Sequence, residues 1–279
     1  VAIGSSWSTG AQTIGGPSKR QSTTNQTRGV LAIRNVTVVP ATGAQPMANQ
    51  TVVIRGEHID AIGPAATTAI PAGARVINGA GKFLLPGFIE MHTHLSKTRA
   101  SALGLYVANG VTTVRDMGGD HEELLRWRRE VRAGDRLGPR ILLAGPYLES
   151  TSNIERMRKD PPAERVEPFE RTRIGVGSPE EARRIVAQLA TREIDFLKIR
   201  TVQDRDTYLA LNKAADAHGI KLVGHVTGIP PEVVLASGQD GVEHGFYPSL
   251  DGKTHEERLA IWRKFAERGV AVVPTLVTL

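Results

Sequence analysis

Residues 85–279 alternate between short apolar runs and amphipathic segments, and this alternation constrains the fold more than any other feature of the sequence. The apolar runs have the length of β-strands and lie near 86–94, 111–117, 140–147, 195–200, 221–226, 241–245 and 270–276. The segments between most of them have helical spacing and lie near 99–109, 121–133, 179–191, 204–218, 230–237 and 254–268. Strands that alternate with helices form βα units and a parallel sheet. Since no glycine-rich phosphate loop follows the first strand, we predict an α/β fold of the TIM-like (β/α)8 barrel type, with strands one to seven present in residues 85–279.

The preceding residues 29–84 contain only short β-like runs separated by turn-rich pieces. These runs lie at 30–39, 51–55, 58–62 and 75–79. We expect them to form the N-terminal part of a small, composite β-sandwich domain. Residues 1–28 are rich in Ser, Thr, Gly and Gln, a composition that predicts a disordered leader. The first four residues resemble the stub of a signal peptide but no basic n-region precedes them, so the sequence decides neither for the cytoplasm nor for export.

Charge and composition exclude several classes of function. The formal net charge is +6 and the pI about 9.8, but the basic residues are mixed with acids along helical segments and form no Lys/Arg block with interleaved aromatics. We therefore expect a solvated surface and no nucleic-acid partner. No run of about 20 apolar residues is present, which predicts no membrane partner. Cysteine is absent, so a metal site must use His, carboxylates or a modified Lys.

Four histidines follow strand-like runs and are candidate metal ligands. His92 and His94 are two residues apart near the end of the first run, so both side chains project from one face of a strand. His225 and His244 follow the fifth and sixth runs, where the carboxyl ends of barrel strands form active sites. Taken singly, each is more typical of a strand-end histidine bonded to a backbone carbonyl; taken together they predict a metal site.

Lys198 lies within the fourth run and is the fifth candidate ligand. Strand alternation predicts that Leu197 and Ile199 face the helices, whereas Phe196, Lys198 and Arg200 face the barrel interior. A lysine among apolar neighbours is costly unless it is neutralised or paired. The alternative is a lysine that extends from a strand end into water.

These motifs resemble the amidohydrolase superfamily, and most closely its imidazolonepropionase-like and prolidase-like branch. The matching pieces run in the family's order over roughly residues 30–279; they are Leu85-Pro86-Gly87-Phe88-Ile89-Glu90-Met91-His92-Thr93-His94, Gly110-Val111-Thr112-Thr113-Val114-Arg115-Asp116, the lysine strand and the two later histidines. The resemblance implies a hydrolase that uses metal-activated water on a C–N bond of an amide, a cyclic amide or a dipeptide-like small molecule. It leaves the oligomeric state open between a monomer and a homo-oligomer.

The same resemblance implies a binuclear centre of two divalent ions, with zinc as the first choice and manganese, nickel or cobalt not excluded. It assigns His92 and His94 to the more buried ion and His225 and His244 to the more exposed one. Lys198, carboxylated by carbon dioxide, is assigned as an anionic bridge between the two ions.

Two further residues are candidates for contacting the substrate. Tyr147 follows the third run and could donate a hydrogen bond to a substrate carbonyl, or it packs at the rim of the barrel. Arg200 could hold a substrate carboxylate, or it forms an ion pair within the protein. We expect residues 149–178 to be a long connection without regular structure, either a lid or a plain insertion. The remaining histidines, His58, His121, His218 and His255, are expected at the surface.

The sequence departs from the resembling family in two ways. The family has an aspartate at the end of strand eight that binds metal and shuttles the proton, and we find no such aspartate up to Leu279. We therefore expect the sequence to be a fragment, with no catalytic residue that can be named with certainty. Glu90 also stands where the family has aspartate, and its extra methylene displaces the carboxylate by about 1.5 Å.

Three alternatives to an amidohydrolase remain open. A non-catalytic barrel fragment is favoured by the missing aspartate. A phosphotriesterase-type enzyme shares the same ligands. A deaminase of the same superfamily has a glutamate close to the strand-five histidine, whereas here His225 is followed by Val226-Thr227-Gly228-Ile229.

Overall fold

The computed structural model describes residues 29–160, 169–244 and 252–275. The chain divides after Pro86 into two compact units. The first unit contains the strands β1 (Val30–Val38), β2 (Met47–Arg55), β3 (His58–Pro64), β4 (Arg75–Asn78) and β5 (Phe83–Leu84). They form one mixed sheet in the order β3-β2-β1-β4, with β5 also on β1. Among the described residues this unit has no second sheet, and the predicted leader over residues 1–28 lies outside them.

The second unit alternates strands and helices, as the apolar pattern predicts. Its elements are β6 (Phe88–Thr93), α1 (Leu95–Thr98), α2 (Ser101–Ala108), β7 (Val111–Asp116), α3 (His121–Ala133), β8 (Arg140–Leu143), β9 (Tyr147–Ser150), α4 (Thr151–Lys159), α5 (Phe169–Thr172), β10 (Arg173–Val176), α6 (Pro179–Ala190), β11 (Leu197–Thr201), α7 (Arg205–Ala217), β12 (Leu222–Gly224), α8 (Pro231–Ser237), β13 (Gly241–Glu243), α9 (His255–Glu267) and β14 (Ala271–Val273). The α/β class is therefore confirmed.

All strand pairs described in the second unit are parallel. They form two sheets, in the orders β6-β7-β8 and β10-β9-β11-β12-β13-β14. This order is consistent with a TIM-like barrel, in which parallel strands follow one another and present their carboxyl ends at one edge. No strand pair that would close a ring is found between the described residues of these two sheets.

The connection over residues 149–178 is not structureless, and that prediction was wrong. It continues β9 and contains α4, α5 and β10. Ser150 caps the N-terminus of helix α4, and its hydroxyl accepts a hydrogen bond from the Asn153 amide. Ile154 and Met157, three residues apart, pack against Phe169 and give the helix an apolar side. The high charge of this segment concealed that helical pair.

The third predicted strand, at 140–147, is interrupted. Gly145 adopts φ +74°, which separates β8 from β9. As a result β8 pairs with β7, whereas β9 pairs with β10 and β11.

Side-chain alternation along β11 places the lysine inside. Leu197 and Ile199 pack in the core with residues of α6 and α7, which include Ile185, Leu189 and Leu211. Phe196 packs on the opposite face with Met117 and Val223. The predicted orientation of this strand is confirmed. None of the helices in the described residues is both long enough and apolar enough to cross a membrane.

Candidate metal centre

The four histidines predicted as ligands lie together at the carboxyl ends of their strands. The ring centroids of His92 and His94 are 5.3 Å apart, and those of His92 and His244 are 4.6 Å apart. The ring of His225 lies 4.8 Å from that of His244. The rings therefore form a continuous arc in the order His94, His92, His244, His225.

Positive φ angles at Gly224 and at His244 determine the positions of the His225 and His244 side chains. Gly224 adopts φ +142°, and a Cβ there would lie 2.0 Å from the carbonyl oxygen of Ile199, so only glycine lets β12 approach β11 this closely. The His225 amide then donates to that same carbonyl at 3.0 Å. His244 adopts φ +63°, which is uncommon for a residue with a side chain.

The left-handed backbone conformation of His244 brings two consecutive side chains to the same neighbour, His92. In an extended strand, consecutive residues point to opposite faces. Here Glu243 and His244 both reach His92: the Glu243 Oε2 lies 2.7 Å from His92 Nδ1, and the His244 ring lies 4.6 Å from the His92 ring. The turn in the backbone at His244 brings both side chains into one site.

Hydrogen bonds favour one protonated ring nitrogen in each of two histidines. His94 Nδ1 lies 3.2 Å from the carbonyl oxygen of Gly118, which can only accept, and 3.0 Å from the Tyr147 hydroxyl, whose oxygen can also accept; a proton on Nδ1 satisfies both contacts. His92 Nδ1 lies 2.7 Å from the Glu243 carboxylate. Burial tends to raise the pKa of Glu243, but hydrogen bonding to His92 and the charges of Arg115 and Lys198 lower it overall, so the group is ionised and accepts from Nδ1. Both rings keep the Nε2 lone pair for a ligand.

Burial holds three of these histidines, His94, His225 and His244, in the neutral form that binds metals. Burial lowers the pKa of His94 to about 3 and that of His225 to about 2, and for His225 the charge of Lys198 adds to the effect. Burial also lowers the pKa of His244 to about 4, with neighbouring His92 and Lys198 contributing. At neutral pH these rings do not carry a proton that a metal would have to displace.

We predict from these shifts that the metal-free protein is sensitive to acid. A histidine whose pKa is lowered in the folded state adds stability above its ordinary pKa near 6.5, and this stability is lost as pH falls toward the folded value. His94 and His225 alone lower the free energy of unfolding by up to about 2.7 kcal/mol per pH unit below pH 6, and half-exposed His244 adds less.

Urea titrations of chelator-treated protein between pH 7 and pH 4 measure this slope. His225→Asn is expected to reduce the slope by about one proton. His218→Asn, at an exposed position, is the matched control and leaves the slope unchanged. A slope that is equal in all three proteins would contradict the assignment.

Lys198 is buried beside this arc. Its side chain is 1% exposed, and its Nζ has no hydrogen-bond partner among the described residues. Burial lowers the pKa of the amine to about 7; Glu243 opposes this shift, whereas Arg115 and Arg200 add to it. A substantial share of the amine is therefore neutral at neutral pH, which is the form that reacts with carbon dioxide.

The four histidines and their neighbours can hold a divalent metal ion only if Lys198 also contributes a ligand. Among the described residues, no three His, Asp or Glu side chains are placed to hold a metal ion by themselves. The histidines are instead available as two pairs, and the unpartnered amine of Lys198 lies close enough to interact with all of His94, His225 and His244.

Arg115 and Glu243 are buried site residues that the sequence analysis did not single out. Their side chains form an ion pair, and both are at most 10% exposed. Both are charged residues inside apolar strand runs, which is the signal that identified Lys198 and that could have identified them. Their contact, however, joins positions 128 residues apart, which no local pattern predicts.

Tyr147 and Arg200 are both near the histidines. Tyr147 is buried and its hydroxyl lies 3.0 Å from His94 Nδ1. The Arg200 guanidinium lies over the Tyr147 ring, and its Nη1 lies 3.6 Å from Glu149 Oε2. That Nη1 atom is buried and has no hydrogen-bond partner among the residues described. Glu90 accepts a hydrogen bond from the His92 amide at 3.0 Å.

One histidine was misplaced by the sequence analysis. His121 is 4% exposed rather than at the surface, because it opens α3 where that helix packs against the turn at Gly145. Burial lowers its pKa. His58, His218 and His255 are exposed, as predicted.

The second unit is thus a parallel α/β fold that places four histidines and a buried lysine at its strand ends. The amidohydrolase family model matches residues 83–279. The chain belongs to the amidohydrolase family.

Known structures and sequences agree with this placement. A protein from Bifidobacterium longum assigned as a prolidase is 27% identical, with a TM-score of 0.68 over 89% of this chain and 61% of that one. A Xaa-Pro dipeptidase with bound methionine is 20% identical and shares the fold, with a TM-score of 0.71 over 89% of this chain and 67% of that one. An adenine deaminase from Rubrobacter xylanophilus is 32% identical over 69 residues, which are 25% of this chain and 11% of the deaminase.

Proposed function

We propose that the protein is a metal-dependent amidohydrolase that cleaves a C–N bond of an amide, a cyclic amide or a dipeptide-like substrate. The observation that carries this proposal is the unpartnered, buried amine of Lys198 beside four converging histidines. Family membership and the likeness to a prolidase support the choice of an amide-type bond. We also infer that the parallel strands close into a TIM-like barrel and that the first unit belongs to a β-sandwich.

In this proposal the chain holds two divalent ions, with zinc as the first choice. His92 and His94 would hold one ion, His225 and His244 would hold the other, and Lys198 would supply a ligand to both. The neutral amine of Lys198 attacks carbon dioxide, forms an N–C bond and releases one proton, which leaves an anionic carbamate. The metal ions, when bound, lower the pKa of water and polarise a carbonyl group.

Arg200 and Tyr147 are proposed to bind the substrate. Glu149 is already bonded to Arg173, Asn153 and Thr201, so it does not depend on Arg200 for its hydrogen bonds. Arg200 also lies close enough to Lys198 and His225 to affect their pKa values. The partly exposed Arg200 guanidinium, although its Nη1 lies 3.6 Å from Glu149 Oε2, has further N–H donors that suit a substrate carboxylate.

We predict that Arg200→Met raises KM by about 10- to 100-fold for a dipeptide with a free carboxylate, because about 1.4 to 2.7 kcal/mol of binding is lost. The same dipeptide amidated at its C-terminus is expected to show little change. Arg205→Met, at an exposed position on α7, is the control. Equal loss on both substrates, or no loss on either, would contradict the role of Arg200.

Deamination is the second candidate, because a stretch of 69 residues is similar to an adenine deaminase. The four residues that follow His225, Val226-Thr227-Gly228-Ile229, contain no acid to shuttle a proton, which favours amide hydrolysis. A substrate panel distinguishes the candidates. The protein, loaded with Zn²⁺ in bicarbonate, is assayed with Xaa-Pro dipeptides, N-acyl amino acids, cyclic amides, a phosphotriester and adenine.

We expect release of an amine from one of the amide substrates. Turnover of adenine or the phosphotriester alone would overturn the proposed bond. Tight metal binding without turnover of any substrate would favour the non-catalytic alternative.

A further inference from the structure

Glu243 and Arg115 make a chain of contacts with His92 and with the backbone next to it, although neither residue is among the proposed metal ligands. Glu243 Oε2 lies 2.7 Å from His92 Nδ1, and its Oε1 accepts from Arg115 Nη2. Arg115 Nε donates to the Met91 carbonyl oxygen at 2.9 Å, directly before His92 in the chain. One buried ion pair thus holds both the ring of His92 and the backbone that carries it.

We infer that Glu243 and Arg115 are positioning residues that hold His92 as its Nδ1–H tautomer and aim its Nε2 atom into the site. This inference rests on the proposed function for its consequence, metal affinity, but the tautomer can be tested without metal. Because Arg115 is always a donor, Glu243 must present an oxygen to it and is left with the other oxygen for His92.

Stability alone does not account for this pair. Burying two charges costs several kcal/mol per ion, and a well-packed apolar pair is often as stable. Both carboxylate oxygens of Glu243 are already engaged, so the group is not free to act as a base on a substrate. The pair carries no net charge, and it lies beside Lys198, where an uncompensated carboxylate would repel a lysine carbamate.

Glu243→Gln is the sharpest test, because it keeps the size and removes the charge. Arg115 will take the amide oxygen, which turns the amide NH₂ toward His92. His92 Nδ1 must then accept, and its proton moves to Nε2, where it blocks metal. We expect Zn²⁺ affinity, measured by competition with a chromophoric chelator, to fall about 10- to 100-fold.

The double variant Glu243→Gln, Arg115→Met separates a change of tautomer from simple damage to packing, because the two causes predict opposite changes in Zn²⁺ affinity. Without Arg115, the glutamine oxygen is free to face His92 and restore its Nδ1–H tautomer. We therefore expect the double variant to bind Zn²⁺ more tightly than Glu243→Gln alone. Weaker binding in the double variant, or unchanged binding in Glu243→Gln, would overturn the inference.

Asp195→Asn is the matched control. Asp195 also forms an ion pair with a mostly buried arginine, Arg128, at 2.8 Å, but it contacts none of the four histidines in the described structure. This variant is expected to lose stability and to keep the Zn²⁺ affinity of the parent. A loss of affinity as large as that in Glu243→Gln would mean that any buried ion pair has the same effect, and would contradict the inference.

The tautomer itself can be read in the metal-free parent, even where a variant does not fold. Long-range ¹H–¹⁵N spectra of histidine-labelled protein distinguish a proton on Nδ1 from one on Nε2, and His92→Asn identifies the signal. We expect Nδ1–H, and Nε2–H would contradict the inference. If the parent binds no Zn²⁺, the proposed function fails, whereas this spectrum still decides whether Glu243 and Arg115 position His92.

Discussion

Lys198→Met is expected to abolish hydrolysis while the protein stays folded. Methionine fills a similar volume but cannot form a carbamate, so the proposed metal centre would lose the ligand that its two ions share. We expect kcat/KM to fall at least about 10³-fold, or about 4 kcal/mol of transition-state stabilisation. Removal of a buried amine that has no hydrogen-bond partner in the described part of the chain is expected to leave stability unchanged or to raise it. Kinetics, metal analysis and urea titrations on the same preparation measure these outcomes together.

Rescue by a small carboxylic acid and a matched control at another lysine test whether the loss of activity is specific to the Lys198 side chain. A short-chain carboxylic acid, such as acetate or propionate, is expected to restore part of the activity of Lys198→Ala by supplying the missing oxygen ligand. Lys213→Met, at an exposed position on α7, is expected to behave as the parent. Full activity of Lys198→Ala without added acid would refute the bridging role.

The titration of Lys198 provides an independent check on its burial. Its folded pKa of about 7 lies below the ordinary value of 10.5, so between these values the unfolded state binds more protons than the folded state. The free energy of unfolding of the metal-free parent is therefore expected to rise through this window, in addition to any change from other groups. Lys198→Met is expected to lack that rise, and an identical profile in both proteins would contradict the lowered pKa.

Gly224→Ala is expected to have the largest effect on stability. The added Cβ would lie 2.0 Å from the Ile199 carbonyl oxygen and 2.8 Å from the Ile199 nitrogen, both of them backbone atoms that cannot move without separating β12 from β11. We expect a loss above about 4 kcal/mol in urea unfolding. Any protein that does fold is expected to lose metal binding, because His225 follows Gly224 directly.

Gly219→Ala is the matched control for that substitution. Gly219 also has a positive φ, +65°, but nothing lies within 4 Å of a Cβ placed there. Its cost is expected to be about 1 kcal/mol, from backbone conformation alone. Equal losses in the two variants would show that the close approach of β11 and β12 does not position the site.

Much of the site follows from strand periodicity. The spacing of His92 and His94 predicts a shared face, and the alternation along residues 196–200 predicts that Lys198 points inward. The rest could not be predicted because it depends on breaks in that periodicity. Alternation alone places Glu243 and His244 on opposite faces, and only the left-handed backbone at His244 brings both to His92.

Three further features could not be predicted from the sequence: one ion pair, one helix and one buried histidine. The pairing of Arg115 with Glu243 spans two sheets and depends on the tertiary fold. Helix α4 buries only Ile154 and Met157 among many charges, so its apolar pattern is too weak to stand out. The position of His121 depends on the turn at Gly145, which separates β8 from β9.

Metal content per chain tests the central claim most directly. The protein is purified without chelators, dialysed against Zn²⁺ and bicarbonate, freed of excess metal and analysed for zinc. We predict about two zinc ions per chain in the parent, as in two-metal hydrolases, and a clear loss in Lys198→Met. Zinc near zero in the folded parent, or an equal content in parent and variant, would contradict a lysine-bridged metal centre.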